Sequence, residues 1–326
     1  MDSTEGSLLC FPNLNSSCRW LPKPRSETAL LFTLLASVSL LTVTLNLLVV
    51  ISISHFRQLH TPTNTLLLSL AVSDLTVGML VVPIEGLRSL ETCWMLGEVI
   101  CALTPLVTFC LVSSSVGIMV LISIDRYVAI CIPLLYATKI TLNRVRTCIC
   151  VCWACSLLFN GWLLRGHLRQ PDRFSSCLGE CVVVISHISG TVDLFITFLG
   201  PCTVMVVLYM RVFIVAISQQ RVIRLQTAAT VTLAPTAKRS ERKAARTLGI
   251  VIAVFLMCFC PYYYPSLAGK DTSTSASYFV VLSCIMILNS CMNPLIYALF
   301  YPWFRKAIKL IITLKILQPH SQDKIL

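Results

Sequence analysis

The sequence predicts an all-α membrane protein: a seven-transmembrane helix bundle with a short amphipathic eighth helix. Two compositional facts and one pattern predict it. Of the 326 residues, 56% are hydrophobic and only 12% are charged, whereas soluble domains carry about a quarter. Mean hydropathy is +0.82. The apolar residues gather in seven blocks, each near or above the roughly 20 residues that cross about 30 Å of hydrocarbon at 1.5 Å per residue. This excludes a soluble enzyme, a disordered chain and a small disulfide scaffold. The net charge of +12 does not indicate a nucleic-acid partner, because the basic residues lie between apolar blocks and form no face of a soluble fold.

The blocks run over residues 28–54, 63–87, 100–130, 147–164, 182–214, 244–267 and 275–300. Residues 1–27 form an N-terminal segment, 28–300 the transmembrane domain, and 301–326 an amphipathic helix and tail. The period-two alternation of a barrel strand is absent, as are the paired halves of a transporter. Pro83, Pro105, Pro201, Pro261 and Pro294 fall inside blocks, where neighbouring helices can satisfy the carbonyls they free. Of the 26 Lys and Arg, 18 collect on the side of Arg126 and Arg146, and 8 on the side of Arg19 and Arg88. The richer side is therefore expected to be cytoplasmic, giving a multi-pass plasma-membrane protein with an extracellular N-terminus. The first 27 residues lack the pattern of a cleaved signal, so the first block is expected to serve as the insertion signal. Asn15-Ser16-Ser17 is a glycosylation sequon on the outer side. Beyond Phe300, Tyr301-Pro302-Trp303-Phe304-Arg305-Lys306 opens a helix suited to lie against membrane lipid.

Of the 17 cysteines, Cys10, Cys18, Cys93, Cys101, Cys177 and Cys181 lie on the oxidising side. A bridge from Cys101 to the loop before the fifth block would pin that loop across the mouth of the bundle. Six cysteines allow about fifteen pairings, and the residues alone do not choose among them.

Asp125-Arg126-Tyr127 ends the third block, and Asn289-Ser290-Cys291-Met292-Asn293-Pro294-Leu295-Ile296-Tyr297 lies in the seventh. Asn46, Asp74 and Trp153 mark the first, second and fourth. Together these resemble the rhodopsin-like G-protein-coupled receptors over nearly the whole chain. Tyr301 with Trp303-Phe304, and Arg239-Ser240-Glu241-Arg242-Lys243-Ala244-Ala245-Arg246-Thr247-Leu248, narrow the resemblance to the trace amine-associated receptors. It implies a non-enzymatic receptor without a cofactor, in which a protonated small-molecule amine is the ligand and a heterotrimeric G protein the partner. An olfactory role and a stimulatory-type G protein are further implications. So are disulfides Cys101–Cys181 and Cys18–Cys177, which leave Cys10 and Cys93 unassigned.

Asp74 in mid-span costs a few kcal/mol on insertion scales unless something offsets it. With Asn46, Ser115, Asn289, Ser290 and Asn293 it can form a central polar cluster, which the resemblance makes a sodium site; the alternative is a hydrogen-bonded network without an ion. Arg126 can pair with Asp125 and, in the resting bundle, with Glu241. The resemblance makes this a latch released when the sixth span swings at Pro261, which removes one helical bond.

An amine receptor needs a shielded carboxylate. The position at which most aminergic receptors carry it is Thr108 here, by the spacing from Arg126 that the resemblance supplies. Asp193, about 16 Å down the fifth block, offers a replacement without a basic residue within a turn or two. A buried unpaired carboxylate is costly, and a proton or an arriving cation relieves it. The alternative is an Asp bonded by hydroxyls such as that of Thr197. The resemblance extends to a teleost subset with the acid on the fifth span. Phe259, Tyr262 and Tyr263 can wall the site and face an ammonium, at about 0.5–2 kcal/mol per cation–π contact. Glu85 is a second candidate anion that would suit a diamine, unless it pairs with Arg88. Two other readings stay open: a receptor for a non-amine ligand, with Asp193 structural, and a small transporter or channel.

Overall fold

The computed structural model describes residues 9–20, 24–171, 175–183, 185–229, 236–267, 276–318 and 322. The chain forms α1 (Arg25–His55), α2 (Pro62–Leu90), α3 (Gly97–Cys131) and α4 (Leu142–Leu163). After a connecting loop come α5 (His187–Asp193, Leu194–Leu199 and Gly200–Ala229 in succession), α6 (Thr236–Leu267), α7 (Ala276–Phe300) and α8 (Pro302–Ile312). Among the described residues, six helices are long and apolar enough to cross a membrane, and α6 contributes a shorter apolar stretch, Gly249–Tyr264. Leu30 on α1 and Leu158 on α4 are each 73% exposed; their faces point at lipid, which is as apolar as they are.

Helix starts follow local chemistry. Thr61 accepts from the Asn64 N–H at 3.2 Å, with Pro62 next to it at the first helical position. Ser186 caps α5 by accepting from the Ser189 N–H at 3.2 Å. The core lies between the helices, with Val49, Leu70, Ile118, Met205 and Phe255 fully buried. Trp153 of α4 donates to the Ser69 hydroxyl of α2 at 3.1 Å. The amphipathic α8 buries Phe304 and Ala307, the latter against Phe56 and Leu59 of the α1–α2 turn.

Two helices widen into π turns, at Val77–Val81 in α2 and Leu194–Leu199 in α5. Each ends just before a proline pair position, Val82-Pro83 or Gly200-Pro201. Proline lacks an N–H and crowds the carbonyl four residues back, and widening relieves the clash. In α2 the Gly78 carbonyl receives the Ser39 hydroxyl at 2.8 Å, so a neighbouring helix supplies the missing donor.

One expected boundary needs correction. The fifth block was expected to be helical from residue 182, yet α5 begins at His187. Val182, Val183 and Ile185 belong to the connecting loop. Val183 and Ile185 are apolar because they roof a cavity, and the Cys101–Cys181 disulfide holds the start of this run to α3.

Candidate functional site

A cavity of about 420 Å³ opens between α2, α3, α6 and α7 beneath that roof. Glu85, Arg88, Thr108, Tyr262 and Tyr263 line it, with Val183 and Ile185 above. Arg88 lies 3.8 Å from Glu85, longer than a hydrogen-bonded ion pair, and donates to the Cys181 carbonyl at 3.0 Å. The Thr108 hydroxyl is buried with no hydrogen-bond partner among the described residues. Thr104, one turn earlier, spends its hydroxyl on the Ile100 carbonyl at 2.7 Å.

Asp193 is 5% exposed and does not line this cavity. It stands behind Tyr263, whose hydroxyl reaches Asp193 Oδ2 at 3.5 Å while its ring stacks on Phe198 at 4.6 Å. Thr197 donates to Asp193 Oδ1 at 2.7 Å. Among the described residues no Lys or Arg forms an ion pair with Asp193. Asp193 immediately precedes the π turn, and that turn sets which way the segment above it faces. Thr197 is likewise buried and away from the cavity wall, and Phe259 lines a smaller cavity below. The structure therefore brings Tyr262, Tyr263, Thr108 and Glu85 to one cavity, and Asp193 with Thr197 to its margin.

The smaller cavity, about 20 Å³, is bordered by Ser115, Asn289 and Ser290, room for one water or a small ion. Nearby, Asn293 donates to Asp74 Oδ2 at 2.9 Å. Asp74 Oδ1, Asn289 Oδ1 and Asn293 Oδ1 are buried without partners among the described residues. Ser115 and Ser73 share a hydrogen bond of 2.8 Å, and Asn46 donates to the Thr42 and Ser290 carbonyls at 2.9 and 3.0 Å. Unfilled oxygens around one carboxylate are the donor set of a hard cation, so these residues fit a sodium ion.

At the opposite end, Arg126 Nε donates to Asp125 Oδ2 at 2.9 Å, and its Nη2 also contacts Thr63. Thr63 donates to Asp125 Oδ2 and Tyr136 to Oδ1, each at 2.9 Å. Burial pushes the Tyr136 phenol above its ordinary range, so it stays a donor at neutral pH. Thr63 and Tyr136 went unrecognised in the sequence; Thr63 stands beside a proline at a helix start, and Tyr136 in a short helix after Pro133. Tyr127 is half-buried in the same turn of α3. Pro261 and Pro294 lie within α6 and α7, and Tyr297 is 2% exposed with its hydroxyl unpartnered among the described residues. The Glu241 side chain lies outside the described residues.

Disulfides Cys101–Cys181 and Cys18–Cys177 are formed, and Cys10–Cys93 makes a third. The N-terminal segment is thus tied to two loops, with isolated bridges Leu9 to Arg19 and Ser17 to Leu178. Asn15 is exposed on it.

Comparison with known proteins agrees with this arrangement. The family profile described as 7 transmembrane receptor (rhodopsin family) matches residues 45–297. Trace amine-associated receptor 13c of Danio rerio is 36% identical, over 97% of this chain and 95% of its own. Trace amine-associated receptor 7e of Mus musculus is 39% identical and that of Rattus norvegicus 40%, each over 98% of this chain and 92% of its own. A bundle of this topology with such relatives is a membrane receptor and not an enzyme. The chain belongs to the rhodopsin family of seven-transmembrane receptors and, within it, to the trace amine-associated receptors.

Proposed function

We propose that this receptor detects protonated small-molecule amines, with Asp193 as the counter-charge, and signals through a heterotrimeric G protein of the stimulatory type in an olfactory setting. The observation that carries it is the buried Asp193 carboxylate, held by the Thr197 and Tyr263 hydroxyls and by no Lys or Arg among the described residues. Hydroxyls soften the cost of a buried charge without neutralising it. An ammonium in the cavity can donate to the Tyr263 hydroxyl, which in turn donates to Asp193, with the faces of Tyr262 and Tyr263 around it. The relatives' names support an amine ligand.

Three disulfides on one end support an extracellular N-terminus, since disulfides persist in oxidising compartments. The end with Asp125 and Arg126 then faces the cytoplasm and the G protein, and the basic α8 lies along lipid headgroups. When bound, a sodium ion would supply positive charge beside Asp74; Asp74, Ser115, Asn289 and Asn293 would hold it.

A second reading makes Asp193 structural and the ligand a non-amine. The satisfied hydroxyl contacts of Asp193, and its place off the cavity wall, favour that reading. A cyclic-AMP assay over a panel of mono- and diamines, on wild type, Asp193→Ala and Thr108→Asp, separates the two. Loss of amine responses in Asp193→Ala at normal surface level supports the amine site; intact responses reject it.

A further inference from the structure

Two polar groups on different helices border the cavity. One is Tyr263 of α6, whose hydroxyl reaches Asp193; the other is Glu85 on α2. Among the described residues the Glu85 carboxylate accepts no hydrogen bond from a side chain, and its one ionic neighbour, Arg88, is at 3.8 Å. Arg88 is not free to leave. It donates to the Cys181 carbonyl at 3.0 Å, and Cys181 is joined to Cys101 of α3.

This arrangement decides between two ligand types. A second ammonium at Glu85 would meet a guanidinium as well as a carboxylate, and the pair carries no net charge to attract it. A neutral donor meets no such opposition and finds a carboxylate that accepts no side-chain hydrogen bond among the described residues. The wall also holds the Thr108 hydroxyl, buried and unpartnered among the described residues, which a ligand of mixed donor and acceptor character can satisfy.

We infer that the cavity selects amines carrying a neutral hydroxyl at the far end from the ammonium, received by Glu85 and the Thr108 hydroxyl between α2 and α3. The inference rests on Asp193 as the ammonium site. It deepens that reading by naming the ligand class: amino alcohols over plain alkylamines and over diamines.

The test compares three series of equal chain length, roughly three to eight carbons to suit a cavity of this size: n-alkylamines, ω-amino alcohols and α,ω-diamines. Cyclic-AMP potency is read on the full-length receptor, with surface level measured for every variant. In wild type the best amino alcohol is expected to exceed the matching alkylamine about tenfold, the size of one hydrogen bond to a charged group. Glu85→Ala is expected to collapse that ratio to about one, and Glu85→Gln, whose amide oxygen still accepts, to retain part of it. Thr108→Val lowers the ratio too, and it carries the test with Glu85→Gln should Glu85→Ala fail to reach the surface. Asp193→Asn should weaken both series together. A wild-type ratio near one, or silence to all three series, overturns the inference. So does a diamine more potent than the amino alcohol whose advantage vanishes in Glu85→Gln. Should Asp193→Asn leave potencies intact while the ratio still depends on Glu85, the ammonium site is wrong and the hydroxyl site stands.

Discussion

Tyr263 separates Asp193 from the cavity: its hydroxyl lies 3.5 Å from Asp193 Oδ2 while its ring forms part of the cavity wall. An amine that engages Asp193 from the cavity therefore does so beside that hydroxyl, which can accept from the ammonium while it donates to the carboxylate. Because Tyr263 is two residues beyond Pro261 on α6, a shift of its ring acts directly on the helix expected to move.

Tyr263→Phe keeps the stacked ring and removes the donor. Amine potency is expected to fall about three- to tenfold, near one ordinary hydrogen bond. Tyr263→Ala also removes the packing on Phe198 and is expected to lose more. A dose–response series on both variants checks the order; equal potency in wild type and Tyr263→Phe would remove Tyr263 from the account.

The pairing of Cys10 with Cys93 predicts a second outcome. Cys93→Ser is expected to cost about 2–5 kcal/mol, as loss of a native disulfide typically does, read as a lower melting temperature of detergent-purified receptor. It also frees the buried Cys10 thiol, read as one more maleimide label on the denatured receptor than the free cysteines of the wild type take. No additional label on the Cys93→Ser variant would mean that Cys10 is bonded elsewhere.

Close approach of α3 and α4 rests on Gly117. A Cβ there would fall onto Cys152 Sγ, and overpacking of this kind costs about 1–3 kcal/mol. Gly117→Ala is expected to lower the melting temperature, and Gly117→Ala with Cys152→Ala to restore most of it. Additive losses in the double variant would contradict the contact.

Tyr136 and Thr63 hold Asp125 from two sides. Tyr136→Phe and Thr63→Val are each expected to loosen Asp125 and Arg126 and to raise ligand-independent cyclic AMP about two- to fivefold, corresponding to roughly 0.4–1 kcal/mol of lost restraint. Unchanged basal signal at matched surface level would show that neither contact restrains the receptor.

Seven spans, the central polar cluster around Asp74 and the pairing of Arg126 with Asp125 were legible in the sequence, because length, burial cost and charge act over whole segments. Azimuth was not. Nor was depth along the fifth block: the figure of about 16 Å assumed helix from residue 182, whereas α5 begins at His187 and Asp193 lies about 9 Å down it. The side to which Asp193 points depends on the π turn that follows it, and membrane helices apolar on most faces carry little periodicity from which to read such a turn. Val183 and Ile185 looked like helix because roofing a cavity and facing lipid both ask for apolar side chains. Cys10 and Cys93 could not be paired from spacing, since a sequence separation of 83 places no useful limit on their distance in space. Thr63 and Tyr136 escaped because ordinary residue types gained importance only through a partner remote in sequence.

The central claim is that amine recognition depends on the negative charge of Asp193. Asp193→Asn preserves size and much of the hydrogen bonding to Thr197 while deleting the charge, so its dose–response curve at matched surface level is the most direct measurement. The account predicts a loss of potency of about a hundredfold or more, as for a buried charge pair deprived of one partner. A curve superimposable on wild type would contradict it.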